Sequence, residues 1–227
     1  WQKVYLMTYQ RNIAKFWEWG RKIVCVGRNY VDHCAELKNP VPKSPLIFLK
    51  PTSSYVREGS AVKIPTGCST LHHEVELGIV ISKKGGDIQT DKAMDHVGGY
   101  VLALDMTARD WQDVAKSQGK PWSMAKGFDT ACPVSDFIEK DKISDPHNIK
   151  LWLKVNNEMK QNGSTKDMIF NIPYLIHYVS TVMHLEEGDV ILTGTPEGVG
   201  PVKSGDVMEC GIESVISMKF PVQMKHY

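Results

Sequence analysis

Two glutamates in the segment 71–77 (LHHEVEL) have the spacing with the most chemical consequence in this chain. The surrounding residues predict a buried β-strand, on which side chains two positions apart share one face. Glu74 and Glu76 would therefore place two carboxylates side by side. Such a pair is costly unless a cation lies between its members, and a hard divalent metal ion is the natural candidate.

A third carboxylate, Asp105, follows the apolar segment 98–104, where a strand is expected to give way to a loop. Three oxygen donors from two strand ends could form one face of an octahedral oxygen site for such an ion. The remaining positions would be open to water or to a chelating substrate. The alternative is that these acids are ordinary exposed residues of amphipathic strands.

His33 and Glu36 are three residues apart on a short helix predicted over residues 29–37. A carboxylate on one imidazole nitrogen fixes the tautomer and raises the basicity of the other nitrogen, which suits activation of water. Gly27 and the following prolines would allow this helix to act as a mobile lid. A solvated surface pair is the competing interpretation.

Three further polar residues could complete a substrate pocket. Arg109 and Gln112 lie one turn apart on a helix predicted from Thr107 to about Gln118, opened by a Thr107–Asp110 capping box. They could hold a substrate carboxylate, or they could form a solvated face. Lys126 lies in apolar surroundings, where its ammonium needs a partner and could offset an excess of negative charge.

The glycine-rich segment 193–200 (TGTPEGVG) follows a predicted strand. It lacks the Gly-Lys-Ser/Thr ending of a nucleotide P-loop, so we interpret it as a turn that gives backbone N–H groups and a hydroxyl to an anionic ligand. A purely structural turn is the alternative. One of the two histidines His72 and His73 is expected to orient a metal-ligating carboxylate.

Composition limits the class of protein. The 227 residues contain 27 Lys and Arg against 26 Asp and Glu, so nothing indicates binding to nucleic acid or to an anionic membrane surface. No apolar run is long enough to predict a transmembrane helix. The cysteines are scattered, which predicts reduced thiols: Cys25, Cys34, Cys68, Cys132 and Cys210.

We expect one domain over residues 21–227, preceded by an extension over residues 1–20. The first 17 residues contain basic and apolar residues but no acid, as in a mitochondrial presequence or its remnant. An ordinary N-terminal arm would have the same composition. We therefore expect a mitochondrial protein, with a cytosolic pool left open.

The order of predicted elements indicates the fold class. Many short strands are separated by turn signals, and only two longer helices are predicted, the second over residues 172–183 with Asn171 as its N-cap. Strands and helices do not alternate strictly, which argues against a doubly wound sheet. We predict a mostly β fold with a few helices (α+β), of sandwich or roll type.

The ordered series of motifs resembles the fumarylacetoacetate hydrolase superfamily. The series is GRNY at 27–30 with DH and Glu36, HEVEL at 73–77, DMTARD at 105–110, KGFD at 126–129 and TGTP with GVG at 193–200. The resemblance implies a mixed β-sandwich roll of the C-terminal domain type and a homodimer. It also implies Mg²⁺ or Mn²⁺ on three carboxylates, those of Glu74, Glu76 and Asp105.

The same resemblance implies roles for the other residues. His33 and Glu36 would be the water-activating dyad on a lid helix, and the oxo-acid would be held by a polar set: Arg28, Arg109, Gln112, Lys126 and Thr195. The expected reactions are hydrolysis of acylpyruvates and decarboxylation of oxaloacetate. Keto–enol tautomerisation of oxaloacetate and non-catalytic binding of oxo-acids are the alternatives.

Overall fold

The structure, a computed structural model, describes residues 11–36 and 40–225. Within those ranges the chain forms these strands: β1 Ile23–Gly27, β2 Leu46–Lys50, β3 Tyr55–Arg57, β4 Val62–Ile64, β5 Leu71–His73, β6 Val75–Ile81, β7 Val97–Leu104, β8 Thr107–Ala108, β9 Cys132–Val134, β10 Ile138–Glu139, β11 Lys150–Val155, β12 Glu158–Ser164, β13 Val190–Leu192, β14 Gly200–Val202, β15 Val207–Ile212 and β16 Ile216–Met224. The α-helices are α1 Phe16–Trp19, α2 Val31–Glu36, α3 Arg109–Ser117, α4 Ser123–Lys126 and α5 Ile172–Ser180. Short 3-10 helices cover Ile13–Lys15, Thr52–Ser54, Ala93–His96, Lys140–Lys142 and Thr165–Asp167.

Three sheets organise these strands. An eight-stranded mixed sheet has the order β2-β1-β13-β6-β7-β9-β3, with β10 also paired to β7. A five-stranded sheet has the order β12-β11-β15-β16-β4, and a small sheet has the order β14-β5-β8. The predicted class, mostly β with a few helices arranged as a mixed roll, is confirmed.

Strand β6 lies at the centre of this arrangement. Leu77 and Ile79 belong to the larger apolar core, which also contains Leu151 and Met208 of the five-stranded sheet. Val80 belongs to a second core on the opposite face. All seven residues of β6 are buried, so the prediction of a buried strand is confirmed here. A strand covered on both faces reads as a continuous apolar run, which explains the sequence around it.

The pairing of β6 with β7 brings the three predicted acids together. In this antiparallel pair Val75 lies opposite Leu104, and the Asp105 N–H donates to the Glu74 carbonyl at 2.8 Å. Glu74 immediately precedes β6 and Asp105 immediately follows β7, so the register itself places these carboxylates at one end of the pair. Glu76 lies two residues further along β6, on the same face as Glu74.

The predicted capping box at the start of α3 is wrong. Thr107 lies in strand β8, and its hydroxyl donates to Glu74 Oε1 at 3.0 Å. Asp110 accepts instead from the N–H and the hydroxyl of Ser69, both at 2.8 Å. The N-cap position is Ala108, which makes no side-chain hydrogen bond to the helix. Tertiary partners have therefore replaced the local cap.

The remaining elements agree only in part with expectation. Asn171 caps α5 by accepting from the Tyr174 N–H, as predicted, but the helix ends at Ser180 rather than at 183. The end predicted for the lid helix falls at residue 37, outside the described residues. Sequence reasoning missed helices α1 and α4 and the short or polar strands β3, β8, β9, β10, β12 and β14.

The residues before β1 pack on the domain as far as the structure describes them. Phe16 of α1 is fully buried in the second core, beside Ile23. Residues 1–10, which carry most of the presequence prediction, lie outside the described residues, and the division of the chain at residue 20 stays a prediction. All five cysteines are free and buried. In the described ranges, no helix is long and apolar enough to cross a membrane.

Candidate metal and acid–base site

The carboxylates of Glu74, Glu76 and Asp105 form one buried cluster. Each contributes an oxygen that lies within 4.8 Å of the others, and the residues are at most 6% exposed. Glu74 is supplied by the link between β5 and β6, Glu76 by β6, and Asp105 by the end of β7. The two acids predicted from strand periodicity and the third predicted from a strand end are therefore neighbours in space.

Three cationic side chains surround the cluster. Lys126 on α4 donates to Glu74 Oε2 at 2.9 Å and to Asp105 Oδ2 at 2.6 Å. Arg109 donates to Glu74 Oε1 at 2.5 Å. Lys50, at the end of β2, lies 2.7 Å from Asp105 Oδ1, as an ion pair without hydrogen-bond geometry. The three formal negative charges are thus matched by three positive ones.

The neighbours of each acid set its electrostatics. Burial raises the pKa of Glu74, but Lys126 and Arg109 outweigh burial and hold that pKa well below its usual range. Burial also raises the pKa of Glu76, and the adjacent carboxylates of Asp105 and Glu74 raise it further. Burial lowers the pKa of Lys126, yet the same two acids more than reverse this effect.

The residues present fit a divalent metal ion. Asp105 Oδ1 is buried and makes no hydrogen bond to any described residue. Glu76 accepts only the Gly194 N–H, at 2.7 Å, and no described cation pairs with it. A buried carboxylate without a cationic partner is costly, and oxygen donors are what Mg²⁺ and Mn²⁺ prefer. The cluster therefore has the donor chemistry of a divalent site.

The predicted dyad is also formed. His33 Nδ1 lies 3.2 Å from Glu36 Oε2, and His33 is buried at 5% exposure while Glu36 stays exposed to solvent. Because a carboxylate only accepts, Nδ1 carries a proton, and in the neutral imidazole Nε2 would then hold the free lone pair. Glu36 is itself held by the Gly198 N–H at 3.1 Å. Helix α2 is thus bonded to the loop before β14.

That loop differs from our expectation. Two of its N–H groups donate to the protein's own carboxylates, Gly194 to Glu76 and Gly198 to Glu36, and the Thr193 N–H donates to the Leu77 carbonyl. The Thr195 hydroxyl donates to the Val75 carbonyl at 2.9 Å. Gly198 has φ of +87°, and a Cβ there would lie 1.9 Å from the Lys160 carbonyl oxygen. Only glycine allows this close passage, which sets the position of the Gly198 N–H.

The two histidines do not bind the metal-site acids directly. Arg109 Nε donates to His72 Nδ1 at 3.2 Å, so His72 orients the guanidinium that holds Glu74. His73 Nδ1 lies 3.0 Å from Gln161 Oε1. The expectation that one histidine contacts a ligating carboxylate directly is wrong. His72 contacts Arg109, and Arg109 in turn contacts Glu74.

One pocket collects most of the predicted residues. Its lining includes eight of the ten residues singled out from the sequence: Arg28, His33, Glu74, Glu76, Arg109, Gln112, Lys126 and Thr195. Glu36 and Asp105 are bonded directly to members of this set. The structure thus brings the whole predicted set together, while the role of each residue stays a prediction.

Three residues with clear site contacts were not predicted. Lys50 could have been suspected because it ends an apolar strand, and Lys116 lies one helical turn beyond Gln112 on the same face of α3. Gln161 gave no signal, because the polar segment around it resembles an exposed strand or loop. It is nevertheless 1% exposed and contacts both His73 and Thr195.

The fold and the site define a mixed β roll that carries a buried carboxylate triad beside a histidine–glutamate pair. The chain belongs to the fumarylacetoacetate (FAA) hydrolase C-terminal family, whose sequence pattern matches residues 22–223. It is therefore a member of a family of enzymes, as expected.

Individual relatives agree with this assignment. The chain is 54% identical over 221 residues to the Homo sapiens protein named "Oxaloacetate tautomerase FAHD1, mitochondrial", covering 97% of this chain and 100% of the relative. It is 56% identical over 213 residues to "Oxaloacetate decarboxylase, mitochondrial" of Dictyostelium discoideum, covering 93% and 98%. The match to the Homo sapiens protein covers 97% of this chain, which is more than residues 22–227 alone make up. The similarity therefore extends into the first 20 residues.

A solved structure shares the fold. Fumarylpyruvate hydrolase from Pseudomonas aeruginosa, in complex with Mn²⁺ and pyruvate, superposes with a TM-score of 0.85 at 33% identity. The match covers 90% of each chain.

Proposed function

We propose that this protein is a divalent-metal-dependent enzyme for short oxo-acids, which hydrolyses acylpyruvates and decarboxylates oxaloacetate. The observation that carries the proposal is the His33–Glu36 pair, whose buried His33 lines the same pocket as Glu74 and Glu76 of the carboxylate triad. The names of the relatives support it, since one is an oxaloacetate decarboxylase and a structural neighbour is a fumarylpyruvate hydrolase.

Glu74, Glu76 and Asp105 would hold the ion, Mg²⁺ or Mn²⁺. The solved relative that contains Mn²⁺ together with pyruvate supports both the metal and the class of ligand. A divalent ion supplies Lewis acidity toward the carboxylate and the 2-oxo group of the substrate. Arg109 and Gln112 would position the oxo-acid from α3, with Arg109 Nη1 already donating to Gln112 Oε1 at 2.6 Å.

In hydrolysis, His33 Nε2 takes a proton from water, and the oxygen of that water attacks the distal carbonyl carbon of the 2,4-dioxo acid. Glu36 stabilises the imidazolium that results. The carbon–carbon bond then breaks toward the 2-oxo group, releasing a carboxylic acid and the enolate of pyruvate. Protonation of this enolate at carbon gives pyruvate. The Lys126 ammonium, buried and charged, would stabilise the enolate oxygen.

Decarboxylation of oxaloacetate uses the same electron sink. The bond between C3 and the distal carboxylate breaks, CO₂ leaves, and the electron pair forms the same pyruvate enolate, which takes up one proton. No water is added, so His33 is needed only to exchange protons. The two reactions therefore share the chelating end of the site and differ in what happens at the distal group.

Oxaloacetate keto–enol tautomerisation is the second candidate. The observation that favours it is the name oxaloacetate tautomerase, carried by relatives in Homo sapiens and Bos taurus at 54% and 55% identity. Here His33 Nε2 would remove a proton from C3 and return it to the oxygen, with no bond between carbons broken. The dyad alone supplies this proton transfer.

One experiment separates these reactions. Purified protein with Mg²⁺ is given oxaloacetate and acetylpyruvate, the enol absorbance is followed in the ultraviolet, and pyruvate is measured separately with a coupled dehydrogenase. Pyruvate formation that outpaces enol interconversion supports the first function, and the reverse order supports the second. Calorimetric binding of oxalate without any turnover would reject both and leave a non-catalytic oxo-acid binder.

We further propose a mitochondrial homodimer. The names of the relatives support the location, because those from Homo sapiens and Dictyostelium discoideum are both called mitochondrial. The dimer is supported by the family resemblance of the motifs. Light scattering on purified protein would test the dimer, and microscopy of the full chain fused to a fluorescent reporter at its C-terminus would test the location.

A further inference from the structure

Helix α3 presents three polar side chains to the pocket. Arg109, Gln112 and Lys116 follow the spacing i, i+3, i+7, which places them on one helix face, and all three line the pocket. Arg109 donates to Gln112 and also to Glu74, one of the metal-site acids. Lys116 lies one turn further along and contacts none of these acids. It is therefore a pocket cation without a role in holding the triad.

The environment of Lys116 is cationic and partly apolar. Its side chain is 32% exposed, and its ion pair with Asp113 is long, at 3.7 Å, to a partner that is 63% exposed. The ammonium lies 5.6 Å from the centroid of the Trp122 ring. Burial lowers the pKa of Lys116, and the nearby charges of Arg109 and Arg28 lower it further. An exposed pair at this distance neutralises little charge.

Arg28 is the second such cation. It lines the same pocket, and its guanidinium has neither a hydrogen bond nor an ion pair among the residues that the structure describes. Its backbone is left-handed, with φ of +59°, which is strained for a residue with a Cβ. Asn29 fixes this backbone by donating to the carbonyls of Phe170 and Thr193, at 3.0 and 2.8 Å.

A count of charges shows what these two cations can bind. The triad carries three negative charges, and the three cations that contact it are Lys50, Arg109 and Lys126. A bound divalent ion and the carboxylate of a 2-oxo acid would leave one positive charge at this inner site. Arg28 and Lys116 add two more on the pocket wall. A second carboxylate on the substrate would therefore be favoured electrostatically.

We propose that Lys116 and Arg28 form an anion subsite that binds the distal carboxylate of the substrate and so selects dicarboxylic 2-oxo acids. This inference rests on the proposed function and deepens it. Oxaloacetate carries this second carboxylate, whereas acetylpyruvate has an acetyl group of similar size at the same place. The two acids share the chelating end, so the ratio of their kcat/KM values reports on the subsite alone.

The test compares the two acids on the Mg²⁺-loaded enzyme. For Lys116→Met we expect kcat/KM for oxaloacetate to fall about tenfold, the effect of one charge-assisted hydrogen bond. The fall should come mainly from KM. The value for acetylpyruvate should stay within about twofold, because a neutral acetyl group gains nothing from the ammonium. Lys116→Arg keeps the charge and should keep the preference.

Lys120→Met is the matched control. Lys120 is an exposed lysine that does not line this pocket, so its loss changes the net charge equally and should leave the ratio of the two acids unchanged. Equal losses on both acids in Lys116→Met, or no loss on either, would overturn the subsite. The preference of the wild type should also weaken with added salt, because the subsite is half-exposed.

A binding measurement separates failure of the subsite from failure of the proposed function. Wild-type protein that turns over neither acid rejects the function. Calorimetric affinities for both acids on the Mg²⁺-loaded His33→Ala variant then still test the subsite. The subsite is supported if oxaloacetate binds more tightly than acetylpyruvate and Lys116→Met removes this difference. It is contradicted if the affinity for oxaloacetate is the same with and without the lysine.

Discussion

Gln161 Nε2 donates a hydrogen bond of 2.8 Å to Thr195 Oγ1, joining strand β12 to the loop that bears on the metal site. The same amide nitrogen donates to the Pro196 carbonyl at 3.0 Å. Its oxygen accepts from the Val75 N–H at 3.1 Å, between two of the predicted metal ligands. Since this oxygen also faces His73 Nδ1, that nitrogen is the protonated one. One buried amide thus spans both walls of the site.

Gln161→Glu should damage the site selectively. A carboxylate cannot donate to Thr195 or Pro196, and it adds a buried negative charge, so we expect a loss of about 2 kcal/mol in unfolding free energy. The displaced Thr195 should raise KM more than it lowers kcat. Urea unfolding and steady-state kinetics measure the two effects. Asn162→Asp, the same chemical change at the exposed neighbour, should change neither the unfolding free energy nor KM. Wild-type KM in Gln161→Glu would show that the amide is only structural.

His33→Ala should separate metal binding from catalysis. No described bond joins the imidazole to the triad, so calorimetric Mg²⁺ affinity should be unchanged. Removal of the general base should lower turnover by roughly 10²- to 10⁴-fold. Glu36→Gln should cost less, because the imidazole remains. Asp32→Asn, an exposed change on the same helix, should be neutral. Loss of Mg²⁺ affinity in His33→Ala would contradict this division.

Glu74→Gln and Glu76→Gln should have opposite effects on the metal-free protein. Glu74 pairs with Lys126 and Arg109, so neutralising it should cost about 3 kcal/mol. Glu76 has no described cationic partner, so its neutral form should raise stability. Both changes should abolish the rise in melting temperature that Mg²⁺ gives the wild type. Equal destabilisation by the two variants in EDTA would refute this account.

Lys50→Met should destabilise the metal-free protein. The Lys50 ammonium donates to the carbonyls of Met106 and Lys126, at 3.1 and 2.5 Å, and pairs with Asp105. Its removal leaves buried acceptors and a buried charge unpaired, at a cost of about 3 to 5 kcal/mol. Saturating Mg²⁺ should reduce this loss by supplying positive charge beside Asp105. Lys219→Met, on an exposed position of β16, is the control. Urea unfolding measures the loss of unfolding free energy in Mg²⁺ and in EDTA. A loss of the same size under the two conditions would contradict the compensation of Lys50 by Mg²⁺.

Asp110→Asn should lower the unfolding free energy at neutral pH but not at acidic pH. Burial raises the pKa of Asp110, but the N–H and hydroxyl of Ser69 outweigh burial and lower that pKa below its usual value. The folded state therefore favours the charged form. The resulting stability is present above the unfolded pKa of about 3.9 and is lost as pH falls through the lower folded pKa. We expect a difference of about 1 kcal/mol at pH 7 that shrinks toward pH 3.5.

Chemical denaturation at both pH values measures this difference. Asp113→Asn on the same helix should show a smaller effect, since Asp113 has only a long ion pair with Lys116. A difference between wild type and Asp110→Asn that is constant with pH would mean that the charge of Asp110 does not contribute.

The sequence by itself determined the local patterns of this protein. The period of two along a strand placed Glu74 and Glu76 on one face, and the spacing of three on a helix joined His33 to Glu36. The Asn171 cap followed from the same kind of local rule. These relationships depend on residues close together in the chain, where backbone geometry alone fixes which side chains meet.

The tertiary structure decided what covers and completes the site. The register of β6 against β7 set Asp105 beside Glu74, and the packing of elements that are not paired with each other brought Gln161 to Thr195 and Lys50 to Asp105. In the folded structure the Thr107 hydroxyl also donates to Glu74 and does not cap helix α3. A buried polar group must find a partner wherever the packed sheets offer one, and that partner can be any distance away along the chain.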